Sequence, residues 1–104
     1  MGFFSSLFGT KDNSRLISAI REGAFLIDVR TAAEFAGGSV KNAVNIPLGS
    51  LANNLPAIKN KKNIVVFCRS GNRSSQAKRM LEKEGFRDVI DGGSWQNVHQ
   101  VINS

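Results

Sequence analysis

The pattern of apolar and polar positions along the chain predicts short buried strands that alternate with amphipathic helices. The strand candidates are brief apolar runs bounded by glycine, proline or polar residues, at 25–29, 43–46, 63–67 and 86–91. The helix candidates carry apolar residues three and four positions apart, which is the spacing of one helix face. They cover 13–22, 74–84 and 94–102, and one or two further helical turns are expected within 50–55.

A capping box predicts another short helix directly after the first strand. Thr31 and Glu34 have the Thr-x-x-Glu spacing of that motif, and Gly37 with Gly38 interrupts the helix. Because strands and helices alternate, we expect an α/β fold with a central, mostly parallel sheet that helices cover on both faces. Such sheets bind ligands at the carboxyl ends of their strands. The functional residues are therefore expected where strands end.

The length of 104 residues is that of a single domain. We assign the domain to residues 13–104 and expect residues 1–12 to form a flexible, apolar N-terminal tip. The tip begins MGFFSSLFG, which is too short to span a bilayer or to hold a secretory signal with its cleavage site. Together with a lone free cysteine, this predicts a cytoplasmic protein without stable membrane insertion.

The composition leaves few kinds of chemistry. A net charge of +6, from 14 Lys and Arg against 8 Asp and Glu, favours anionic partners. Nucleic acid is not expected among them, because the longest basic run is Lys61-Lys62 and no nucleic-acid-binding motif occurs. One cysteine excludes internal disulfides and multi-cysteine zinc sites. The single histidine, His99, is expected to be solvated or to pack on its helix, so the chemistry is expected to run through Cys68.

Cys68 follows the strongest strand signal, residues 63–67, and precedes a predicted helix. A connection this short must curl, and Gly71 is the residue best able to adopt a positive φ there. The curl and the helix N-terminus would direct backbone N–H groups at the cysteine sulfur and form an anion-binding nest. Arg69 and Arg73 add positive charge, which favours a thiolate. A buried cysteine with only a packing role is the alternative.

Four segments of the chain resemble those of single-domain rhodaneses, the thiosulfate sulfurtransferases. Residues 68–74, CRSGNRS, resemble the active-site loop of that family. Residues 26–35 resemble its DVR…E-[FY] segment, 42–48 its GA-x-NIP segment and 91–93 its late GG turn. The segments follow the family's order and extend over about residues 14–102. The resemblance implies a rhodanese-like three-layer α/β/α fold.

The resemblance also implies a reaction. Cys68 would attack the outer sulfur of thiosulfate, or of another sulfane-sulfur donor, and keep that sulfur as a persulfide. A thiol in the cell, or cyanide in the test tube, would then accept the sulfur, and a thioredoxin-like protein or a desulfurase is a candidate partner. No metal or organic cofactor is implied. The expected persulfide-binding loop comprises Arg69, Ser70, Gly71, Asn72 and Arg73. The expected supporting residues are Asp28, Arg30 and Ser74.

The chain departs from the family pattern in places. Ser39 stands where the family often has a histidine, and we expect this change to affect local packing rather than chemistry. Trp95 follows the glycines more closely than usual and is expected to cover the core. Asp28 and Arg30, at a strand end, are expected to brace neighbouring loops through hydrogen bonds rather than to react.

Three other functions are disfavoured relative to sulfur transfer, and a fourth stays open. Phosphatases of this fold use a Cys-x5-Arg loop, whereas the arginine here, Arg73, gives Cys-x4-Arg and leaves Ser74 at the position that a phosphatase needs. An arsenate reductase is disfavoured because there is no second cysteine, and a noncatalytic interaction domain because Cys68 and its loop are intact. The remaining alternative is a sulfur-carrier or redox-partner module that another protein loads, with little thiosulfate turnover.

Overall fold

The computed structural model describes residues 12–104, so residues 1–11 of the predicted N-terminal tip lie outside the described residues. The strands are β1 (Phe25–Asp28), β2 (Val44–Asn45), β3 (Ile64–Cys68) and β4 (Val89–Ser94). The α-helices are α1 (Ser14–Arg21), α2 (Ala32–Ala36), α3 (Leu55–Ile58), α4 (Asn72–Lys83) and α5 (Trp95–Ile102). Two 3₁₀ turns, Leu48–Ser50 and Ala52–Asn54, precede α3. Over the described range, no helix has the length and apolar character that a membrane span requires.

The strands form a four-stranded sheet in the order β2-β1-β3-β4, and every neighbouring pair is parallel. β3 is central, and all five of its residues are buried. This burial explains why its sequence is a continuous apolar run, because both faces of a parallel sheet are covered by helices. The predicted parallel sheet is therefore confirmed, and its strands all present their carboxyl ends at the same edge.

Helices cover both faces of the sheet and bury a separate apolar cluster on each. On one face, Leu16 of α1 and Val98 of α5 pack with the side chain of Phe67. On the other face, Leu81 of α4 and Ile58 of α3 pack with alternate residues of β3, among them Cys68. This arrangement is the predicted three-layer α/β/α architecture, and it turns the cysteine toward α4.

The last strand begins at Val89, three residues later than the predicted strand 86–91. The earlier apolar residue, Phe86, belongs instead to the C-terminal cap of α4. Its N–H donates to the Leu81 carbonyl at 3.0 Å, while the Gly85 N–H donates to the Glu82 carbonyl at 3.0 Å. This pair of bonds is a Schellman motif, in which a residue after the glycine packs its apolar side chain back onto the helix. An apolar cap residue was therefore mistaken for the start of a strand.

β4 continues through the two glycines that were predicted to form a turn. Its pairing with β3 shifts by one residue between Val66 and Phe67, so that Gly92 is the extra residue of a bulge. A Cβ atom on Gly92 would lie 2.6 Å from Val98 Cγ2 and 3.2 Å from Val65 Cγ1. Glycine is required here because α5 packs directly against the backbone of the strand.

A buried ion pair braces the carboxyl end of β1, as expected for Asp28 and Arg30. The Arg30 guanidinium donates to both carboxylate oxygens of Asp28, with a shortest distance of 2.7 Å. Arg30 also donates to the Gly38 carbonyl at 2.7 Å, and the Ser39 hydroxyl donates to Asp28 Oδ2 at 2.7 Å. Ser39, at the position of the family's histidine, thus ties the segment after α2 to the strand. The Asp28 side chain is 0% exposed and the Arg30 side chain is 5% exposed.

Gly92→Ala is expected to lower the free energy of unfolding by about 1–3 kcal/mol, because the new methyl group overpacks the contact with Val98. Urea denaturation followed by circular dichroism measures this change. The matched control is Gly49→Ala, since a Cβ atom at Gly49 meets no atom within 4 Å. Equal stability of the two variants would contradict the packing role assigned to Gly92.

Asp28→Asn is expected to cost about 3–5 kcal/mol of unfolding free energy, because it leaves the buried Arg30 guanidinium without its counter-charge. The control is Glu82→Gln, which removes an exposed ion pair with Lys78 and is expected to change stability by no more than about 0.5 kcal/mol. Both values come from the same denaturation experiment. A loss for Asp28→Asn as small as that of the control would show that the pair does not brace the fold.

Candidate active site

The connection between β3 and α4 is short enough to curl around the cysteine sulfur. Cys68 is the last residue of β3 and α4 begins at Asn72, two residues earlier than predicted, so three residues connect them. Gly71 adopts a φ of 101°, which confirms the predicted positive φ. Cys68 itself is 1% exposed. The sulfur therefore lies beneath the loop, beside the N-terminus of a 12-residue helix.

Backbone N–H groups surround the cysteine sulfur, as the predicted nest requires. The Gly71 N–H donates to Cys68 Sγ at 3.0 Å, and the Ser74 N–H lies 3.4 Å from the same atom. Burial raises the pKa of the Cys68 thiol, but the hydrogen bond between the thiol and the Ser74 hydroxyl and those from the amides of Ser74, Gly71 and Ser70 outweigh it. The pKa of Cys68 therefore lies below its ordinary value, and the thiolate is favoured.

Ser74 connects the cysteine to an aspartate on the neighbouring strand. Its buried hydroxyl oxygen lies 3.6 Å from Cys68 Sγ and 2.7 Å from Asp91 Oδ1. The Gly93 N–H also donates to Asp91 Oδ1, at 2.9 Å. Asp91 lies in the segment 91–93 that resembles the family's late GG turn, and it is not among the predicted site residues. Its place on β4, the strand beside β3, is the signal that could have identified it, since parallel strands carry site residues at their carboxyl ends.

Arg73 was predicted at the rim of the loop, but its charge is paired. Two of its guanidinium nitrogens donate to the carboxylate of Glu34, at 2.7 and 3.0 Å. The bonds from Arg73 and from the Thr31 N–H lower the pKa of Glu34 to about 2. Thr31 and Glu34 form the predicted capping box of α2. Arg73 therefore ties α4 to α2 and contributes less free positive charge than the sequence suggested.

The other loop side chains point away from the sulfur and toward solvent. Arg69, Ser70 and Asn72 are all exposed. Among the residues that the structure describes, no ion pair involves Arg69. Its guanidinium is therefore the cation of the loop that is available to an anion from outside.

The remaining predicted residues lie beside the loop and do not contact the sulfur. Asp28 pairs with Phe67 in the sheet register, so the Asp28–Arg30 pair flanks the end of β3. The Arg30 guanidinium carbon lies 5.3 Å from the ring centre of Trp95, which is half-buried and packs on the core cluster of α1 and α5. His99 is exposed on α5. In residues 12–104, no three His, Cys, Asp or Glu residues come together as a metal site would need.

Other proteins are similar to this chain in sequence, and solved structures are similar to it in architecture. The YtwF protein of Bacillus subtilis is 36% identical over 85 residues, which cover 79% of this chain and 82% of YtwF. Thiosulfate sulfurtransferase GlpE of Pseudomonas savastanoi is 38% identical over 78 residues, covering 72% of this chain and 74% of GlpE. A solved rhodanese with anions from E. coli superposes with a TM-score of 0.67 at 30% identity, over 72% of this chain and 91% of that one.

The match to a protein family spans nearly the whole described chain. Residues 12–98 match the family described as the rhodanese-like domain. The matched range includes the buried Asp28–Arg30 ion pair and the entire loop from Cys68 to Ser74. With this match and the relatives above, the fold and the family resemblance inferred from the sequence are confirmed. The chain belongs to the rhodanese-like domain family.

Proposed function

We propose that this protein is a sulfurtransferase that takes the outer sulfur of thiosulfate onto Cys68 and passes it to a thiol. The observation that carries the proposal is the set of N–H donors around a cysteine sulfur whose pKa is lowered. Its relatives support sulfur transfer as the general activity, and one of them is named a thiosulfate sulfurtransferase. Thiosulfate as the donor and a persulfide as the intermediate are the specific content of the proposal.

In the first step, the Cys68 thiolate attacks the outer sulfur of thiosulfate. A bond forms between Sγ and that sulfur, and the electron pair of the thiosulfate S–S bond leaves with sulfite. The negative charge then resides on the terminal sulfur of the persulfide. Because the loop residues 69–71 curl above Sγ, this terminal sulfur would lie within reach of the same N–H donors and of the α4 N-terminus.

In the second step, a thiolate or cyanide attacks the terminal sulfur and the Cys68 thiolate is released. The electron pair of the persulfide S–S bond returns to Sγ, so neither step needs an external oxidant, a metal or an organic cofactor. The acceptor must approach from the side of Arg69 and Ser70, which are exposed, because Cys68 is covered by the rest of the domain. A small thiol or a thioredoxin-like protein has the thiol chemistry that this step requires.

The size of the loop favours a sulfur atom over a phosphoryl group. Three residues separate Cys68 from α4, and Arg73 is directed to Glu34 rather than across the loop. A tetrahedral phosphate has three outer oxygens that need donors around a wider ring. Because Arg73 is bound to Glu34, its guanidinium is not positioned to bind two of those oxygens.

Incubation with thiosulfate is expected to add the mass of one sulfur atom to the wild-type protein, because the thiolate keeps the transferred sulfur. Intact-protein mass spectrometry measures the gain, and added cyanide is expected to reverse it. Cys68→Ala, the matched control, is expected to show no gain, since it lacks the nucleophile. The chain has no second cysteine, so every sulfur that cyanide removes is assigned to Cys68.

The proposal fails if wild-type protein whose Cys68 is reduced and alkylatable gains no sulfur from thiosulfate. In that case a donor persulfide on a desulfurase is the next reagent to test in the same spectrum. Sulfur gained only from the protein donor would identify a carrier module instead of a thiosulfate-consuming enzyme.

Arg69→Ala is expected to reduce kcat/KM for thiosulfate about three- to tenfold, because an exposed cation beside the loop attracts the dianion. The two-step scheme lets thiosulfate be varied at a fixed cyanide concentration, so that kcat/KM for the donor reports the first step alone. The loss is expected to shrink at high salt, which screens exposed charges. Arg79→Ala, another exposed arginine further along α4, is the control and should leave kcat/KM within about twofold of wild type. Equal losses in both variants would contradict a specific role for Arg69.

A further inference from the structure

The Ser74 hydroxyl has one hydrogen and three possible acceptors. Asp91 Oδ1 is at 2.7 Å, the Gly71 carbonyl at 3.1 Å and Cys68 Sγ at 3.6 Å. The Gly71 carbonyl already accepts the Ser75 N–H of the first helical turn, at 3.1 Å. Since a hydroxyl can donate only once, the effective competition is between the carboxylate and the sulfur.

The two choices correspond to different states of the cysteine. When Ser74 donates to Asp91, its oxygen faces the sulfur as an acceptor, which suits a neutral S–H group. When Ser74 donates to Sγ, it stabilises the thiolate but gives up a short, charge-assisted bond to Asp91. Stabilisation of the thiolate by the hydroxyl therefore requires its hydrogen to move from one partner to the other.

We propose that Asp91 is a positioning residue that competes with Cys68 for the Ser74 hydroxyl hydrogen and thereby restrains formation of the thiolate. The geometry allows this because Asp91 and Cys68 lie on adjacent strands and both face α4, with Ser74 between them. The Gly93 N–H holds Asp91 Oδ1 in place at 2.9 Å, and the bulge at Gly92 brings that amide back toward the carboxylate.

In the proposed reaction, and resting on it, the hydroxyl would change partners during each cycle. The attacking thiolate has the Ser74 hydrogen. Once the persulfide has formed, Sγ is bonded to sulfur and carries no charge, so the hydrogen returns to Asp91. The carboxylate would thus favour the persulfide over the free thiolate, because conversion of the thiolate to the persulfide returns the Ser74 hydrogen bond to Asp91.

Other charged side chains lie near Cys68 and Asp91 and contribute to the electrostatic field at both groups. Near the sulfur are Arg69, which is exposed, and Arg73, whose pKa is raised chiefly by Glu34 and to a smaller extent by Cys68. Around Asp91, the surface cleft between α1 and α4 is lined by further charged side chains. They are Asp12, Arg15 and Lys78. Within residues 12–104, none of these side chains forms a hydrogen bond with Ser74, so the Ser74 hydroxyl is the direct link between Asp91 and Cys68.

The test is the pH dependence of Cys68 alkylation by iodoacetamide, which reports the thiolate and needs no sulfur donor. Asp91→Asn keeps the shape of the side chain and removes its charge, so the bond that Ser74 donates to this position is weakened and donation to Sγ becomes more favourable. At a pH below the inflection, the thiolate fraction is expected to rise about threefold or more. In the Ser74→Ala background, where no hydroxyl connects the two groups, Asp91→Asn is expected to have a clearly smaller effect.

Comparing Asp91→Asn in the wild-type and Ser74→Ala backgrounds separates the effect carried by the Ser74 hydroxyl from the direct electrostatic effect of the Asp91 charge. Loss of a nearby negative charge lowers a thiol pKa by itself, but that effect persists in the Ser74→Ala background. Equal shifts in both backgrounds, no shift, or a shift to higher pH would each overturn the proposal. Asp88→Asn removes the same charge at an exposed position just before β4, and should leave the inflection unchanged. Thermal unfolding of each variant verifies that it is folded. Because alkylation involves no sulfur transfer, failure of the thiosulfate experiment would leave this result standing.

Discussion

The hydrogen bond from the Gly71 amide to the Cys68 sulfur, at 3.0 Å, is the interaction on which the site depends. It exists because three residues take the chain from the end of a buried strand to the start of a helix, and one of them is a glycine with a φ of 101°. A side chain at that position would strain the backbone and turn the amide away from the sulfur. A buried sulfur that can become an anion must have such donors, since burial alone favours the neutral thiol.

The charged residues near the loop mostly hold the fold together. Arg73 binds Glu34 and fixes α4 against α2, while Arg30 binds Asp28 and fixes β1 to the segment that follows α2. Both ties lie at the carboxyl edge of the sheet, where loops would otherwise be free to separate. The net charge of +6 is therefore not concentrated at the sulfur, and the local attraction for an anion comes largely from backbone N–H groups and the helix N-terminus.

The sequence predicted the parts of the structure that depend on local pattern. The central strand, the capping box of Thr31 and Glu34, the positive φ of Gly71 and the layered architecture all follow from short-range rules. The bonds between distant residues could not be predicted in this way. Glu34 and Arg73 are 39 positions apart and Ser74 and Asp91 are 17 apart, so nothing in either segment indicates its partner. The prediction that the last strand begins at Phe86 was wrong for another reason. An apolar residue that caps a helix cannot be distinguished by sequence pattern from an apolar residue that begins a strand.

The donors around Cys68 differ in whether they can change partner. The Gly71 and Ser74 amides are fixed by the backbone of the loop and of α4, so they face Sγ whatever its charge. The Ser74 hydroxyl rotates, and Asp91 offers it a shorter bond than the sulfur does. Fixed amides alone would stabilise the thiolate strongly, and its attack on the sulfur donor would therefore be less favourable in free energy. The Ser74 hydroxyl stabilises the thiolate less than a fixed donor would, because Asp91 competes for its hydrogen. Asp91 regains that hydrogen bond once the sulfur has reacted, which favours the reacted state.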